Sequence, residues 1–149
     1  MLSELILLPT VTNVGGSDWT IPDSAGAASA TMGSGRRGVT NWVVFTGGDF
    51  AAIPVGSTIN SIQPTVTRKS DDANVVTQAG SLWLNGNVVG NDISDVGASN
   101  WPQSFQTQAL IATQPGLTRD DIVNAGFGVA VKAKFLQQEL GVISMVRVM

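Results

Sequence analysis

Residues 127–135 read FGVAVKAKF, and this stretch decides the fold class of the 149-residue chain. Every second residue from Phe127 to Phe135 is apolar, and two small residues and two lysines stand between them. A period of two residues is that of a β-strand with one buried face. The stretch therefore predicts a strand that packs one side against a core.

Two further segments alternate in the same way. In residues 61–69, Pro64 removes one ladder donor, which predicts an edge strand or a bulge. Residues 141–149 are apolar on both alternating sides, which predicts a strand covered on both faces. No segment carries a sustained helical period, so the sequence predicts an all-β protein.

Local turn signals support this class. Residues 81–84 and 87–89 flank Asn85-Gly86, a dipeptide typical of the type I′ turn of a β-hairpin. The one predicted helical turn is residues 118–123, where Thr118 can cap the helix and two aspartates follow at its N-terminus.

The predicted domain spans residues 14–149, and residues 1–13 form either an N-terminal arm or the first strand. The apolar cluster that includes Leu5 and Leu7 would be costly to expose, so an arm is expected to pack on a neighbouring subunit. The segment lacks the basic start of a signal peptide and is too short to span a membrane. The Ala, Gly and Ser-rich residues 24–38 are interpreted as a long loop or an irregular strand.

Composition excludes several classes of function. Hydrophobic residues make up 43% of the chain and charged residues 13%, with a net charge of −3. Such a surface does not suit nucleic acid, because phosphate binding needs clustered cations. The chain has no His and no Cys, which excludes Ser-His-Asp and Cys-His catalysis and thiolate metal sites. We predict no enzyme, no cofactor and no metal.

Several motifs follow one another along the chain: Trp19-x-x-Pro22, FAAIPVGSTINSI at 50–62, LWL at 82–84, GNVVG at 86–90, Trp101-Pro102 and LTRDDIVNAGFGV at 117–129. In this order, over about residues 17–149, they resemble a domain of tailed-bacteriophage virion proteins, which occurs in tail fibres and as free-standing head decoration proteins. The resemblance implies a two-sheet jelly-roll β-sandwich. In tail-fibre versions the segment corresponding to residues 109–116 is longer.

Carboxylates are the remaining candidates for chemistry. Glycoside hydrolysis would need two of them about 5 to 9.5 Å apart across a cleft, but the aspartates lie in predicted turns or at the helix start, where Asp is favoured for local hydrogen bonds. Residues 71–74 and 91–95 could offer oxygen ligands to calcium, although neither matches an EF-hand loop. Solvated loops are the favoured interpretation of both segments.

Five residues are candidates for partner binding. The four tryptophans could include a sugar-stacking platform, but packing in the core and at interfaces is the favoured interpretation. Trp83 is the exception, because it lies opposite the Leu82/Leu84 face and is expected to point to solvent or to a partner. Arg36 and Arg37 form a basic loop that can dock on an acidic surface through bidentate pairs. The full set is Leu5, Leu7, Arg36, Arg37 and Trp83.

The resemblance implies a virion structural protein, made in the host cytoplasm, that decorates and stabilises the outer surface of a phage capsid. Its expected partners are the major capsid protein and copies of itself, as a homotrimer, with no membrane contact. The alternative is a glycan- or receptor-binding module of the phage tail or head, in which Trp83 and loop Asp and Asn residues read a glycan. A polysaccharide depolymerase is the third interpretation.

Overall fold

A computed structural model describes residues 6, 8–21, 29–32, 38–70, 75–94, 100–104, 106–114, 116–135 and 145–148. The strands are β1 (Thr10–Val14), β2 (Trp19–Thr20), β3 (Ser29–Met32), β4 (Gly38–Val39), β5 (Trp42–Thr46), β6 (Thr65–Lys69), β7 (Val75–Leu84), β8 (Asn87–Val89), β9 (Gln106–Ala109), β10 (Phe127–Phe135) and β11 (Met145–Val148). The described part of the chain contains one helix, α1 (Arg119–Val123).

The strands form two antiparallel sheets. The first sheet has the order β1-β5-β10-β7-β8, with β4 also paired to β10, and the second has the order β2-β3-β11-β6-β9. The chain passes back and forth between the sheets, and β11 inserts between β3 and β6. This is jelly-roll connectivity. The prediction of an all-β, two-sheet jelly roll with one short helical turn is confirmed.

The segment that decided the fold class lies at the centre of the first sheet. Strand β10 pairs with β5 on one side and with β7 on the other. Its inner residues Val129 and Val131 pack in the same buried cluster as Phe45, Leu82 and, from the second sheet, Val66. The core therefore lies between the two sheets.

Both predicted turn structures are present. Asn85 and Gly86 have φ angles of 49° and 89°, the positive values that a type I′ turn needs, and they join β7 to β8. At α1 the Thr118 hydroxyl accepts a hydrogen bond from the Asp121 N–H at 3.2 Å, and the Asp121 carboxylate accepts one from the Thr118 N–H at 2.9 Å. This capping box explains why the helix begins at Arg119. No described helix is long and apolar enough to cross a membrane.

The prediction of an edge strand or a bulge at Pro64 is wrong. Strand β6 begins only at Thr65, and it lies between β11 and β9. Pro64 precedes the strand, so its missing N–H costs no ladder bond there, and its carbonyl accepts from the Leu110 N–H at 2.9 Å.

The two ends of the chain are only partly described. Strand β1 begins at Thr10, and Leu8 before it is 3% exposed within the core cluster. Leu5 and Leu7 lie outside the described residues, so the choice between an arm and a first strand stays open. The prediction that the strand in residues 141–149 is buried on both faces also lies outside the described residues. Strand β3 falls within the segment 24–38 that was interpreted as a loop or irregular strand.

Candidate functional site

A polar pocket opens beside β9, the edge strand of the second sheet. Its volume is about 230 Å³, and its lining residues are Arg68, Asn100, Pro102, Gln106, Thr107 and Gln108. Pockets for drug-sized ligands start at roughly 300 Å³. The pocket therefore suits a small ligand or one unit of a longer one. We call it the edge pocket.

The pairing of β6 with β9 explains why these side chains meet. Arg68 is the register partner of Gln106, and Val66 is that of Gln108. Register partners share a face of the sheet, and the face repeats every second residue. Gln106 and Gln108 therefore project on the same side as Arg68, although some 40 residues separate the two strands along the chain.

The rim at residues 100–102 is fixed to the body of the sandwich. The Trp101 N–H donates to the Val75 carbonyl at 2.7 Å, and the Pro102 carbonyl accepts from the Ser70 N–H at 2.9 Å. Trp101 itself is 1% exposed. This buried anchor holds Asn100 and Pro102 on either side of it at the mouth of the pocket.

Arg68 forms the charged part of the pocket. It is 7% exposed, and its Nη1 donates to the Thr77 hydroxyl oxygen at 3.1 Å. Its Cζ lies 5.5 Å from the centre of the Trp101 ring, within the range of a cation–π contact. The Trp101 Nε1 donates to the same Thr77 oxygen at 2.9 Å. The guanidinium is thus held by an aromatic face and a hydroxyl acceptor.

A second cluster of aromatic residues lies on the outer face of the first sheet, away from the core. We call it the outer tryptophan cluster; its members are Val14, Trp42, Val44, Trp83 and Ala130. The rings of Trp42 and Trp83 are 6.2 Å apart at their centroids, and the Lys132 ammonium lies 4.7 Å from the Trp42 centroid.

Trp83 does project from the face opposite Leu82, as predicted, because Leu82 packs in the main core and Trp83 packs in the outer tryptophan cluster. Its side chain is nevertheless not a solvent-facing one, since the residue is 6% exposed. Partner binding by Trp83 stays a prediction. Of the other tryptophans, Trp19 and Trp101 pack in the main core.

The four remaining candidates for partner binding are not brought to either cluster. Leu5, Leu7, Arg36 and Arg37 all lie outside the described residues. Their role stays a prediction from the sequence.

Four of the described aspartates, Asp49, Asp92, Asp120 and Asp121, lie in turns, at the start of α1 or in hydrogen bonds to the backbone. Asp49 accepts from the Ala51 N–H at 3.1 Å in a turn, and Asp120 and Asp121 belong to the first turn of α1. Asp92 Oδ1 accepts from the Gly80 N–H at 3.0 Å, and from the N–H and hydroxyl of Ser94 at 2.9 and 2.7 Å. Among the described residues, no group of three or more potential metal ligands of the His, Cys, Asp or Glu type is present. Asp71, Asp72 and Asp95 lie outside them.

The hydrogen bonds of Asp92 predict a pH-dependent contribution to stability. Partial burial raises the pKa of this carboxyl, but hydrogen bonds from Gly80 and Ser94 lower the pKa more, so the net value falls below the ordinary 3.8. A lowered folded-state pKa stabilises the fold above the ordinary value and loses this effect as the pH falls through the folded value. We expect Asp92→Asn to reduce the free energy of unfolding by about 0.5–1 kcal/mol at pH 7, and by less below pH 3.8.

Urea melts at pH 7 and pH 3 measure this difference, with Asp49→Asn as the comparison, since that carboxylate accepts from a single backbone N–H in its turn. An Asp92→Asn deficit that grows as the pH falls would contradict the assignment.

Sequence reasoning did not find the edge pocket. The alternation of residues 61–69 predicts a strand that includes Arg68 but gives that residue no binding role. Residues 106–108 show no pattern that predicts a function. The available signal was weak: QTQ is polar at three successive positions and follows Trp101-Pro102 closely. A pocket built from paired strands becomes visible only when their register is known.

Comparison with known proteins finds two distantly similar solved structures among its matches. No protein-family model matches the sequence, and no curated protein matches it. A solved structure described as "CBM4 structure and function" is 12% identical, with 89% of this chain and 90% of that chain covered and a TM-score of 0.44. A mutant of CBM29-2, a family 29 carbohydrate-binding module, is 9% identical, with coverage of 96% and 89% and a TM-score of 0.37. Likenesses this distant do not say what the present chain binds.

Proposed function

We propose that the protein is a non-catalytic carbohydrate-binding module and that the edge pocket holds one sugar unit. The observation that supports this most directly is the set of polar side chains that line the pocket on the Arg68 side: three carboxamides, from Asn100, Gln106 and Gln108, and one guanidinium. A sugar hydroxyl both donates and accepts hydrogen bonds, and a carboxamide offers both kinds of group within one side chain. The pocket is therefore matched to a ligand with many hydroxyls.

The polar residues that line the pocket differ in their exposure to solvent, and this difference fits a ligand that enters from one side. Arg68 is buried at 7% exposure, whereas Asn100, Gln106 and Thr107 are exposed at the rim. A sugar unit can place one edge against Arg68 and Gln108 while the rim amides reach its other hydroxyls. Pro102 adds an apolar surface for the C–H groups of the ring.

The small volume sets the expected strength of binding. A ligand with about a dozen non-hydrogen atoms, at roughly 0.3 kcal/mol each, binds with a dissociation constant of about 2 mM. Binding of the longer chain at the rim, or display of several modules together, would raise this affinity. The proposal includes no catalytic step, and no described residue that lines the pocket carries a carboxylate.

A glycan array with the protein presented in multivalent form tests the proposal. We expect binding to a related group of glycans that share one exposed sugar unit, with a dissociation constant between about 0.1 and 1 mM for the isolated module in solution. Incubation with the bound glycan should release no reducing sugar. An array with no bound glycan, neutral or acidic, would contradict the proposal.

The particle that carries the protein, and its partners there, are separate from the proposed binding site. Decoration of a phage capsid, contact with the major capsid protein and a homotrimer stay predictions from the sequence resemblance. The sequence offered a glycan-binding module as the alternative, with Trp83 and loop Asp and Asn residues as its candidate site, and the present proposal assigns the sugar to the edge pocket instead.

A further inference from the structure

One irregularity in β7 determines which way Thr77 points. In the pairing of β7 with β10, Lys132 lies opposite Ala79 and Ala133 lies opposite Thr77, so Gln78 is an extra residue without a partner. This is a β-bulge. Because side chains alternate along a strand, an unbroken β7 would place Thr77 on the outer face together with Ala79. The bulge turns Thr77 to the inside of the sandwich instead.

The inward hydroxyl of Thr77 joins the two sheets beneath the edge pocket. It accepts from Arg68 Nη1 at 3.1 Å and from Trp101 Nε1 at 2.9 Å. Arg68 belongs to the second sheet, Thr77 belongs to the first, and Trp101 lies in the loop that forms the rim. A hydroxyl oxygen has two lone pairs and can serve both donors at once.

We propose that Thr77, turned inward by the bulge at Gln78, is a positioning residue that holds the Arg68 guanidinium for the ligand of the edge pocket. The proposal rests on the proposed carbohydrate-binding function for its affinity readout. Thr77 does not itself line the pocket; it acts through Arg68. Its hydroxyl is the required group, because valine has the same shape but accepts no hydrogen bond.

The test compares Thr77→Val with Thr77→Ser, and uses Thr12→Val as the matched control on the exposed part of β1. We expect Thr77→Val to bind the glycan about tenfold more weakly, since Arg68 loses a partly buried acceptor. Thr77→Ser should keep the affinity within about threefold, and Thr12→Val should leave it unchanged. Calorimetric titration measures all three, and thermal melts verify that each variant folds.

A second readout needs no ligand. By NMR, the guanidinium protons of Arg68 should exchange slowly in the wild type and in Thr77→Ser, and should exchange faster in Thr77→Val. The indole N–H of Trp101 should shift in Thr77→Val alone. Absence of glycan binding by the wild type would remove the proposed function, while slow exchange of Arg68 would still support the role of Thr77.

Two results would overturn the role of Thr77. One is a folded Thr77→Val variant with unchanged affinity and unchanged Arg68 exchange; the other is a Thr77→Ser variant as impaired as Thr77→Val. If Thr77→Val fails to fold, the wild type decides, since a freely rotating Arg68 guanidinium there contradicts the proposal.

Discussion

Replacement of Gly128 by alanine is expected to lower the free energy of unfolding by about 4 kcal/mol or more. This is the largest loss of stability that we predict for a single substitution. A Cβ atom at Gly128 would collide with the carbonyl oxygen of Phe45 and would lie 2.7 Å from its carbonyl carbon. Backbone atoms of β5 cannot move aside, because β5 is held between β1 and β10. Such a loss is a large part of a typical total of about 5–15 kcal/mol.

Gly80→Ala is the control for this prediction. Gly80 also lies in a central strand of the first sheet, but the atoms nearest to an added Cβ are 3.4 Å away, on Leu110 and Ser94. We expect a change within about 1 kcal/mol. Urea melts of both variants give the comparison, and equal stabilities would show that β5 and β10 are not as close as described.

The second large effect is expected from the rim of the edge pocket. The double variant Asn100→Ala with Gln106→Ala removes two exposed carboxamides that line the pocket. Loss of two hydrogen-bonding side chains at about 1 kcal/mol each predicts binding roughly thirtyfold weaker than the wild type. Both residues are exposed, so the melting temperature should stay within about 2 °C.

Gln114→Ala supplies the matched control, because this glutamine is exposed and does not line the edge pocket. Its glycan affinity should equal that of the wild type. If the double variant and the control bind equally well, the edge pocket is not the site.

Local patterns predicted a large part of the fold. The alternation of residues 127–135 predicted β10, Asn85-Gly86 predicted the hairpin, and Thr118 predicted the cap of α1. In each case the deciding pattern lies within a few consecutive residues of the chain.

The edge pocket could not be predicted in the same way. Arg68, Trp101 and Gln106 come together through the register of β6 with β9 and through a loop fixed to β7. The bulge at Gln78 reverses the inward and outward positions that simple alternation gives to Thr77. Neither a register nor a bulge leaves a clear mark in a single sequence.

The burial of Trp83 was also not predictable from the pattern of its own strand. Alternation placed it correctly on the outer face, but it did not show that the Trp42 ring lies 6.2 Å away, centroid to centroid. That pairing brings together residues from β5 and β7, which are both neighbours of β10. Small residues on β10 such as Ala130 leave space for the rings.

The most direct test of the carbohydrate-binding site is an NMR titration of the wild-type protein with an oligosaccharide that it binds on the array. The account predicts shifts concentrated on the side-chain amides of Asn100, Gln106 and Gln108 and on the Arg68 guanidinium, with little change at Trp42 and Trp83. Shifts centred on the outer tryptophan cluster, or spread evenly over the protein, would contradict it.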